Sequence, residues 1–127
     1  MSSLNILVGE DDDLIGELLG ELLVEMGHKV YPIQSTAAGV IESARRLVPD
    51  LMIVDLQLAD GSGFDAADQI VRDLPIPYIL VSGNILKLTK LKPAAVMLEK
   101  PYNKVGLALA IRRATEQEQR HTGLTVA

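Results

Sequence analysis

Residues 4–13 read Leu-Asn-Ile-Leu-Val-Gly-Glu-Asp-Asp-Asp, a short apolar run that stops at four consecutive acids. From Leu14 onward the apolar residues recur at helical spacing, and this change of period predicts a strand followed by a helix. Asp13, the acid nearest the helix, is expected to cap it, and Gly27 is expected at its left-handed C-terminal cap. The predicted buried stripe of this helix consists of Leu14, Ile15, Leu18, Leu19, Leu22, Leu23 and Met26.

The same alternation of strand and helix continues along the chain. Further strands are predicted at residues 28–33, 51–55, 78–82 and 95–99. Further helices are predicted from Ser35 or Thr36 to about Leu47, around Phe64, Ala67, Ile70 and Val71, and after a cap at Asn103 with Val105, Ala108, Leu109, Ile111 and Ala114 buried. Residues 84–93 fit neither pattern, and the polar chain beyond Thr115 is expected to fray. Apolar strands that alternate with amphipathic helices indicate an α/β fold whose parallel sheet is covered on both faces. Five such units favour a flavodoxin-like doubly wound domain with strand order 2-1-3-4-5.

Length, charge and cysteine content exclude several classes of protein. The chain has 127 residues, a formal charge of −5 and no cysteine. We expect one domain over residues 1–118 and a polar tail over residues 119–127. The absence of cysteine excludes disulfides and thiolate metal sites and fits a cytoplasmic location. The negative charge argues against direct nucleic-acid binding, and no apolar run approaches the ~20 residues of a membrane span.

Residues with chemical character follow the predicted strands. Glu10 and Asp11 follow the first strand, Asp55 ends the third, Ser82 ends the fourth, and Lys100 follows the fifth. Each is an ordinary turn or capping residue when taken alone. Parallel strands bring their carboxyl ends to one edge, however, and two carboxylates 4 Å apart repel by roughly 4 kcal/mol at an effective dielectric constant of 20. A site with only oxygen ligands predicts a hard cation, Mg²⁺ or Mn²⁺.

These groups together predict a site for phosphoryl transfer. Asp55 would attack the phosphorus atom, while the cation and Lys100 neutralise the phosphoryl oxygens and Ser82 donates a hydrogen bond.

Four motifs carry a family resemblance in the expected order and spacing. They are Ile-Leu-Val-Gly-Glu-Asp-Asp at residues 6–12, Asp-Leu-Met-Ile-Val-Asp-Leu-Gln-Leu-Ala-Asp-Gly-Ser-Gly at residues 50–63, Val81-Ser82-Gly83, and Lys100-Pro101-Tyr102. Over residues 4 to about 115, the chain resembles the receiver domain of bacterial two-component response regulators. The receiver fold has the strand order proposed above, so the resemblance implies that order as well.

The resemblance also implies roles for individual residues. Asp55 corresponds to the phosphoacceptor, Glu10 and Asp11 to the acidic pair that holds the metal, and Gln57 to the residue whose backbone carbonyl binds the same ion. Asp11 is expected to bind the ion directly. Phosphohistidine on a sensor kinase or a histidine phosphotransfer protein is the implied phosphoryl donor.

The remaining motif residues correspond to the groups that sense and stabilise the phosphoryl group. Ser82 matches the switch hydroxyl, Gly83 the small residue that leaves room for phosphate, and Lys100 the stabilising lysine. The Lys100–Pro101 peptide bond is expected to be cis. An output protein is expected to contact residues 84–97 and the fifth helix.

Three positions depart from the receiver pattern. Ala59 replaces a usual proline, the stretch from Ser82 to Lys100 is short enough to predict a shortened fourth helix, and Met97 stands where a switching aromatic residue is usual. We favour adaptable core filling for Met97. The short stretch, together with Leu-Ala-Asp-Gly-Ser at residues 58–62, also resembles alphaproteobacterial general-stress receivers, although we expect no sigma-like domain within these 127 residues.

The leading interpretation is a receiver that is not an enzyme but assists its own phosphorylation and dephosphorylation, either as a binding module or as a phosphate-relay intermediate. A Mg²⁺-dependent aspartyl-phosphate phosphatase usually has a second acid two residues after the nucleophile, where this chain has Gln57. A flavin carrier is disfavoured because the acids after the first strand would repel the flavin phosphate. A degenerate receiver is disfavoured because Asp11, Asp55, Ser82 and Lys100 are all present.

Overall fold

A computed structural model describes residues 3–84, 86, 89–90 and 95–126 of the protein, with side chains as far as Glu116. Its strands are β1 (Asn5–Gly9), β2 (Lys29–Val30), β3 (Leu51–Asp55), β4 (Gln57–Leu58), β5 (Gly61–Ser62), β6 (Tyr78–Ser82) and β7 (Val96–Glu99). The main sheet is parallel and has the order β2-β1-β3-β6-β7. The predicted flavodoxin-like order 2-1-3-4-5 is therefore confirmed, with β6 and β7 as its fourth and fifth strands. The antiparallel pair β4–β5 is a small hairpin that was not predicted.

The helices begin at side-chain caps. They are α1 (Asp13–Glu25), α2 (Ala37–Leu47), α3 (Gly63–Val71) and a C-terminal helix (Lys104–Val126). Asp12, rather than the predicted Asp13, caps α1 by accepting from the backbone N–H of Ile15 at 3.0 Å. The predicted caps Thr36 and Asn103 are confirmed, as is the positive φ of 96° at Gly27.

Hydrophobic clusters cover both faces of the main sheet. Ile6, Val8 and Ile53 pack on the side of α1 and the C-terminal helix. Leu7 and Met52 pack on the side of α2. Because successive side chains of a strand point to opposite faces, each continuous apolar strand serves both clusters.

The packed faces of two helices differ from the prediction. Leu14 and Leu18 of α1 are 64% and 55% exposed, whereas Leu19 and Leu23 are buried. In the C-terminal helix the predicted face is only partly correct: as far as Glu116, the buried residues are Leu107, Ala110, Ile111 and Ala114, while Val105 and Leu109 are exposed.

Some predicted boundaries also require correction. β2 covers only Lys29–Val30 of the predicted strand at residues 28–33. The C-terminal helix continues to Val126, beyond the expected fraying point at Thr115. Residues 86, 89 and 90 are helical, but most of the predicted short fourth helix lies outside the described residues. Within the described part of the chain, no helix is both long and apolar enough to cross a bilayer.

Candidate functional site

The carboxyl ends of four strands meet along one edge of the sheet. β1 leads directly to Glu10, β3 ends at Asp55, β6 ends at Ser82, and β7 leads to Lys100. Parallel pairing aligns Ser82 with Glu99, and the Lys100 N–H donates to the Ser82 carbonyl at 2.9 Å. The topology therefore brings together residues that are far apart in the sequence, as predicted.

Lys100 lies between two buried carboxylates. Its ammonium donates to Glu10 Oε1 at 3.0 Å and also contacts Asp55 Oδ2. Glu10 and Asp55 are 5% and 7% exposed. One positive charge thus faces two acids in a region with little access to water.

Burial and ion pairing shift the protonation equilibria of this group. Burial raises the pKa of Glu10, although bonds from the Asp12 N–H and from Lys100 oppose the effect. Burial by itself would lower the pKa of Lys100, but the hydrogen bonds to Asp55 and Glu10 outweigh it and raise that pKa above its ordinary value. The site therefore favours a protonated lysine and opposes full ionisation of Glu10.

Backbone N–H groups orient both carboxylates. Asp55 Oδ1 accepts from the Gln57 N–H at 2.9 Å, and Glu10 Oε2 accepts from the Asp12 N–H at 3.1 Å. In each case the donor lies two residues beyond the acid, so the turn that follows the strand holds the side chain over the sheet edge.

A polar cavity of about 370 Å³ opens beside Asp55, and it is lined by Asp55, Leu56, Gln57, Ser82, Gly83, Asn84 and Lys100. Ser82 Oγ accepts from the Asn84 N–H at 3.0 Å. Gly83 has open space where a Cβ atom would lie. The cavity therefore combines a carboxylate, a hydroxyl group and an ammonium group, which is the combination predicted for phosphoryl chemistry.

The predicted metal ligands supply only oxygen atoms. Glu10 and Asp55 share the contact with Lys100, Gln57 lines the cavity, and Asp11 is exposed immediately after Glu10. Among the described residues, no three acidic, histidine or cysteine side chains converge as a metal site. The oxygen ligands nevertheless fit a hard cation. Glu10 and Asp55 also share the single positive charge of Lys100, so a cation beside them would be stabilised.

Met97 pairs with Leu80 across β6 and β7. It packs, partly buried, against a cluster formed by Leu56, Ala67 and Leu80, and its sulfur lies 3.7 Å from Thr89 Oγ1. This environment agrees with the core-filling role favoured from the sequence.

Two residues near the site were noted in the sequence only as members of the motif at residues 50–63. A Cβ atom at Gly63 would lie 1.8 Å from the Asp55 carbonyl oxygen, so only glycine allows α3 to begin against the end of β3. The Asp60 carboxylate accepts from the N–H groups of Ala37 and Ala38 at the start of α2. Neither contact has a local sequence signal, because each depends on how distant segments meet.

A second, apolar cavity of about 480 Å³ lies between α1 and the turn after β7. Apart from Lys100, its lining residues are Ile15, Leu18, Leu19, Leu22, Pro101 and Tyr102. The Lys100–Pro101 bond in this turn is cis, as predicted. Because the Lys100 ammonium pairs with Glu10 and Asp55 at the polar cavity, the chemistry is concentrated there.

Comparison with known proteins identifies the family of the chain. The family model "Response regulator receiver domain" matches residues 6–112. Phyllosphere-induced regulator PhyR of Methylorubrum extorquens is 31% identical over 113 residues, which is 86% of this chain and 42% of that protein. The chain thus spans less than half the length of this relative.

Solved structures agree with this assignment. The response regulator PhyR from Brucella abortus superposes with a TM-score of 0.87 at 25% identity, covering 98% of this chain and 52% of that chain. The receiver domain of PhyR from Erythrobacter litoralis superposes with a TM-score of 0.80 at 28% identity, covering 91% of this chain and 92% of that chain. The predicted resemblance to general-stress receivers is confirmed by these relatives.

Proposed function

Because the chain belongs to the response regulator receiver domain family, we propose that it is a signalling module controlled by phosphorylation of Asp55. The observation that carries this proposal is the contact of the buried Asp55 carboxylate with Lys100 at the wall of a cavity that also contains Ser82. The proposed phosphoryl donor is a phosphohistidine of a sensor kinase or a histidine phosphotransfer protein, and the proposed location is the cytoplasm.

In the proposed reaction a carboxylate oxygen of Asp55 forms a bond to phosphorus. The phosphorus–nitrogen bond of the donor breaks, and its electron pair stays on the imidazole. The product is an acyl phosphate on Asp55. Lys100 then pairs with the phosphoryl oxygens, and Ser82 donates to one of them after leaving Asn84.

A divalent cation completes this proposal. Glu10, Asp11, Asp55 and the Gln57 backbone carbonyl would hold Mg²⁺ or Mn²⁺, which would supply positive charge to the phosphoryl oxygens. Glu10 supports this assignment because burial raises the pKa of its carboxyl group and because it shares Lys100 with Asp55.

The proposed output depends on Ser82. Phosphorylation adds roughly −1.5 to −2 charges, and movement of the Ser82 hydroxyl would break the hydrogen bond that it accepts from the Asn84 N–H. Met97 is flexible and fills space without a rigid ring. We therefore propose that residues 84–93 change more than Met97, and that an output protein contacts residues 84–97 and the C-terminal helix.

The phosphoacceptor can be tested with acetyl phosphate and Mg²⁺, followed by mass spectrometry of the labelled peptide. Label is expected on Asp55 and is expected to disappear in Asp55→Asn, whereas Asp50→Asn, altered at the opposite edge of the sheet, retains it. Undiminished label in Asp55→Asn would contradict the proposal. Hydrogen exchange with and without beryllofluoride tests the output, since changes confined to residues 56–64 would contradict it.

A further inference from the structure

The loop after Asp55 is fastened to the start of α2. β4 and β5 pair as a hairpin in which Gln57 faces Ser62 and Leu58 faces Gly61, so Ala59 and Asp60 form its tip. The Asp60 carboxylate accepts from the Ala37 N–H through one oxygen and from the Ala38 N–H, at 3.2 Å, through the other. The hairpin tip thus contacts a segment that lies more than twenty residues earlier in the chain.

A backbone hydrogen bond reinforces this contact. The Ala59 N–H donates to the Ser35 carbonyl at 3.1 Å. Proline has no N–H and could not make this bond. The departure at Ala59 that the sequence shows therefore has a structural counterpart, since this residue type provides the donor that joins the two segments.

The same segment is bonded to the other half of the site. The Gln34 N–H donates to the Val8 carbonyl at 3.0 Å, and the Glu10 N–H donates to the Gln34 carbonyl at 2.9 Å. Residues 34–38 therefore connect the end of β1, which provides Glu10, with the hairpin that follows Asp55. This connection runs beside the sheet and is additional to the pairing of β1 with β3.

We propose that Asp60 is a positioning residue for the phosphorylation site. It fixes the β4–β5 hairpin against α2, and this holds the Gln57 carbonyl at a constant separation from Glu10 and Asp11. The inference rests on the proposed function. Gln57 lies outside the main sheet, so sheet pairing alone does not fix its position relative to Glu10.

Electrostatics favour a persistent contact between the Asp60 carboxylate and the start of α2. Asp60 faces the free N–H groups at the positive end of the α2 dipole. The hydrogen bonds from the Ala37 and Ala38 N–H groups lower the pKa of Asp60, so its carboxylate stays ionised to a lower pH than an ordinary aspartate does. Thr36 accepts a hydrogen bond from the Gly39 N–H. Thr36 and Asp60 therefore bind different N–H groups at the start of α2.

Asp50 provides a matched control. Its carboxylate is also exposed, and it accepts from the distant Asn5 N–H at 2.8 Å. It lies before β3, at the opposite edge of the sheet. Loss of either carboxylate removes long-range bonding to backbone N–H groups, but only loss of Asp60 weakens the attachment of the hairpin that contains Gln57.

The test compares wild type, Asp60→Ala, Asp60→Asn and Asp50→Ala. Mg²⁺ affinity is measured by amide-shift titration without any phosphodonor, and labelling by acetyl phosphate is measured separately. Asp60→Ala is expected to bind Mg²⁺ about tenfold more weakly, as is typical when a residue supporting metal ligands is lost. Asp60→Asn, which keeps one acceptor oxygen, is expected to lie between it and wild type, and Asp50→Ala is expected to match wild type.

The outcomes separate this inference from the proposed function. Wild-type Mg²⁺ affinity in Asp60→Ala, or an equal loss in Asp50→Ala, would overturn the positioning role while the labelling of Asp55 stands. A wild-type chain that neither binds Mg²⁺ nor takes label would overturn the proposed function and this inference with it.

Discussion

Lys100 Nζ lies 3.0 Å from Glu10 Oε1, although ninety residues separate the two in the chain. The same ammonium contacts Asp55, so the two acids share one counter-charge. Since the last strand of the sheet delivers this lysine to the acids of the first and third strands, the pairing couples stability of the fold to chemistry at the site.

Replacing Lys100 by Met is expected to destabilise the metal-free protein. The change leaves two buried carboxylates without their cation, and we expect a loss of about 2 kcal/mol, below the usual cost for a fully buried pair because the lysine is partly exposed. Lys104→Met is the control, because its pair with Glu25 is exposed and contributes about 0.5 kcal/mol. Urea unfolding in EDTA measures both, and equal losses would contradict the prediction.

Glu10→Gln is expected to change how stability depends on pH. Because the pKa of Glu10 is raised in the folded state, the folded protein holds this proton more tightly than the unfolded chain. Ionisation of Glu10 therefore reduces stability as pH rises from below its ordinary pKa through the raised one. The stability of Glu10→Gln minus that of wild type should increase over this window, and urea unfolding across the acidic range in EDTA measures it. If this difference in stability does not change with pH, the pKa of Glu10 is not raised in the folded state.

Mg²⁺ is expected to raise the melting temperature of wild type, with Asp11 as one ligand. At a concentration ten times the dissociation constant, binding stabilises the folded state by about 1.4 kcal/mol. Asp11→Ala should lose most of this response, while Asp13→Ala, an exposed acid in the first turn of α1, should keep it. Thermal melts with and without EDTA provide the measurement, and identical responses in the two variants would exclude Asp11.

Val48→Asn is expected to stabilise the protein. Val48 ends α2 in the left-handed region, with φ 46° and ψ 68°, where a β-branched side chain is strained. Asparagine tolerates this conformation, so we expect a gain of about 1 kcal/mol. Val105→Asn, at an exposed position in the C-terminal helix, should give no gain. Chemical denaturation of both variants decides the matter, and a neutral or negative effect at Val48 would contradict the strain argument.

Gly63→Ala is expected to destabilise the protein and to disturb the site. The new methyl group would overlap the Asp55 carbonyl, and such overpacking costs about 3 kcal/mol. Gly83→Ala is the matched control for stability, because its methyl group would enter open space. If Gly63→Ala has the same melting temperature as Gly83→Ala and wild type, the close approach of α3 to Asp55 does not require glycine at this position.

The sequence predicted which residues meet at the sheet edge because the strand topology determines this. Once the strands were recognised as parallel, their carboxyl ends had to meet, and Glu10, Asp55, Ser82 and Lys100 followed without further information. Asp60 could not be found in this way. Its partners Ala37 and Ala38 are backbone donors, which have no sequence signal, and the contact depends on how a hairpin tip lies against a helix.

Helix packing was predicted less well for a different reason. Val105 and Leu109 lie one turn apart, as do Leu107 and Ile111, so apolar spacing alone offers two neighbouring faces. The fold buries the face with Leu107 and Ile111. The same ambiguity placed Leu14 and Leu18 in the core. The α1 cap was predicted one residue too late, at Asp13 instead of Asp12, because consecutive acids offer several candidate caps.

The position of β7 at the edge of the sheet has a consequence for the order in which the site is assembled during synthesis. Glu10 and Asp55 leave the ribosome long before Lys100, and β7 can pair only after β6 has formed. A nascent or truncated chain that stops before residue 100 therefore carries both acids without their counter-charge. Under the proposed function, Lys100 can reach the phosphoryl oxygens only once β7 has paired with β6, so a chain released early would lack the charge that stabilises phosphoryl transfer.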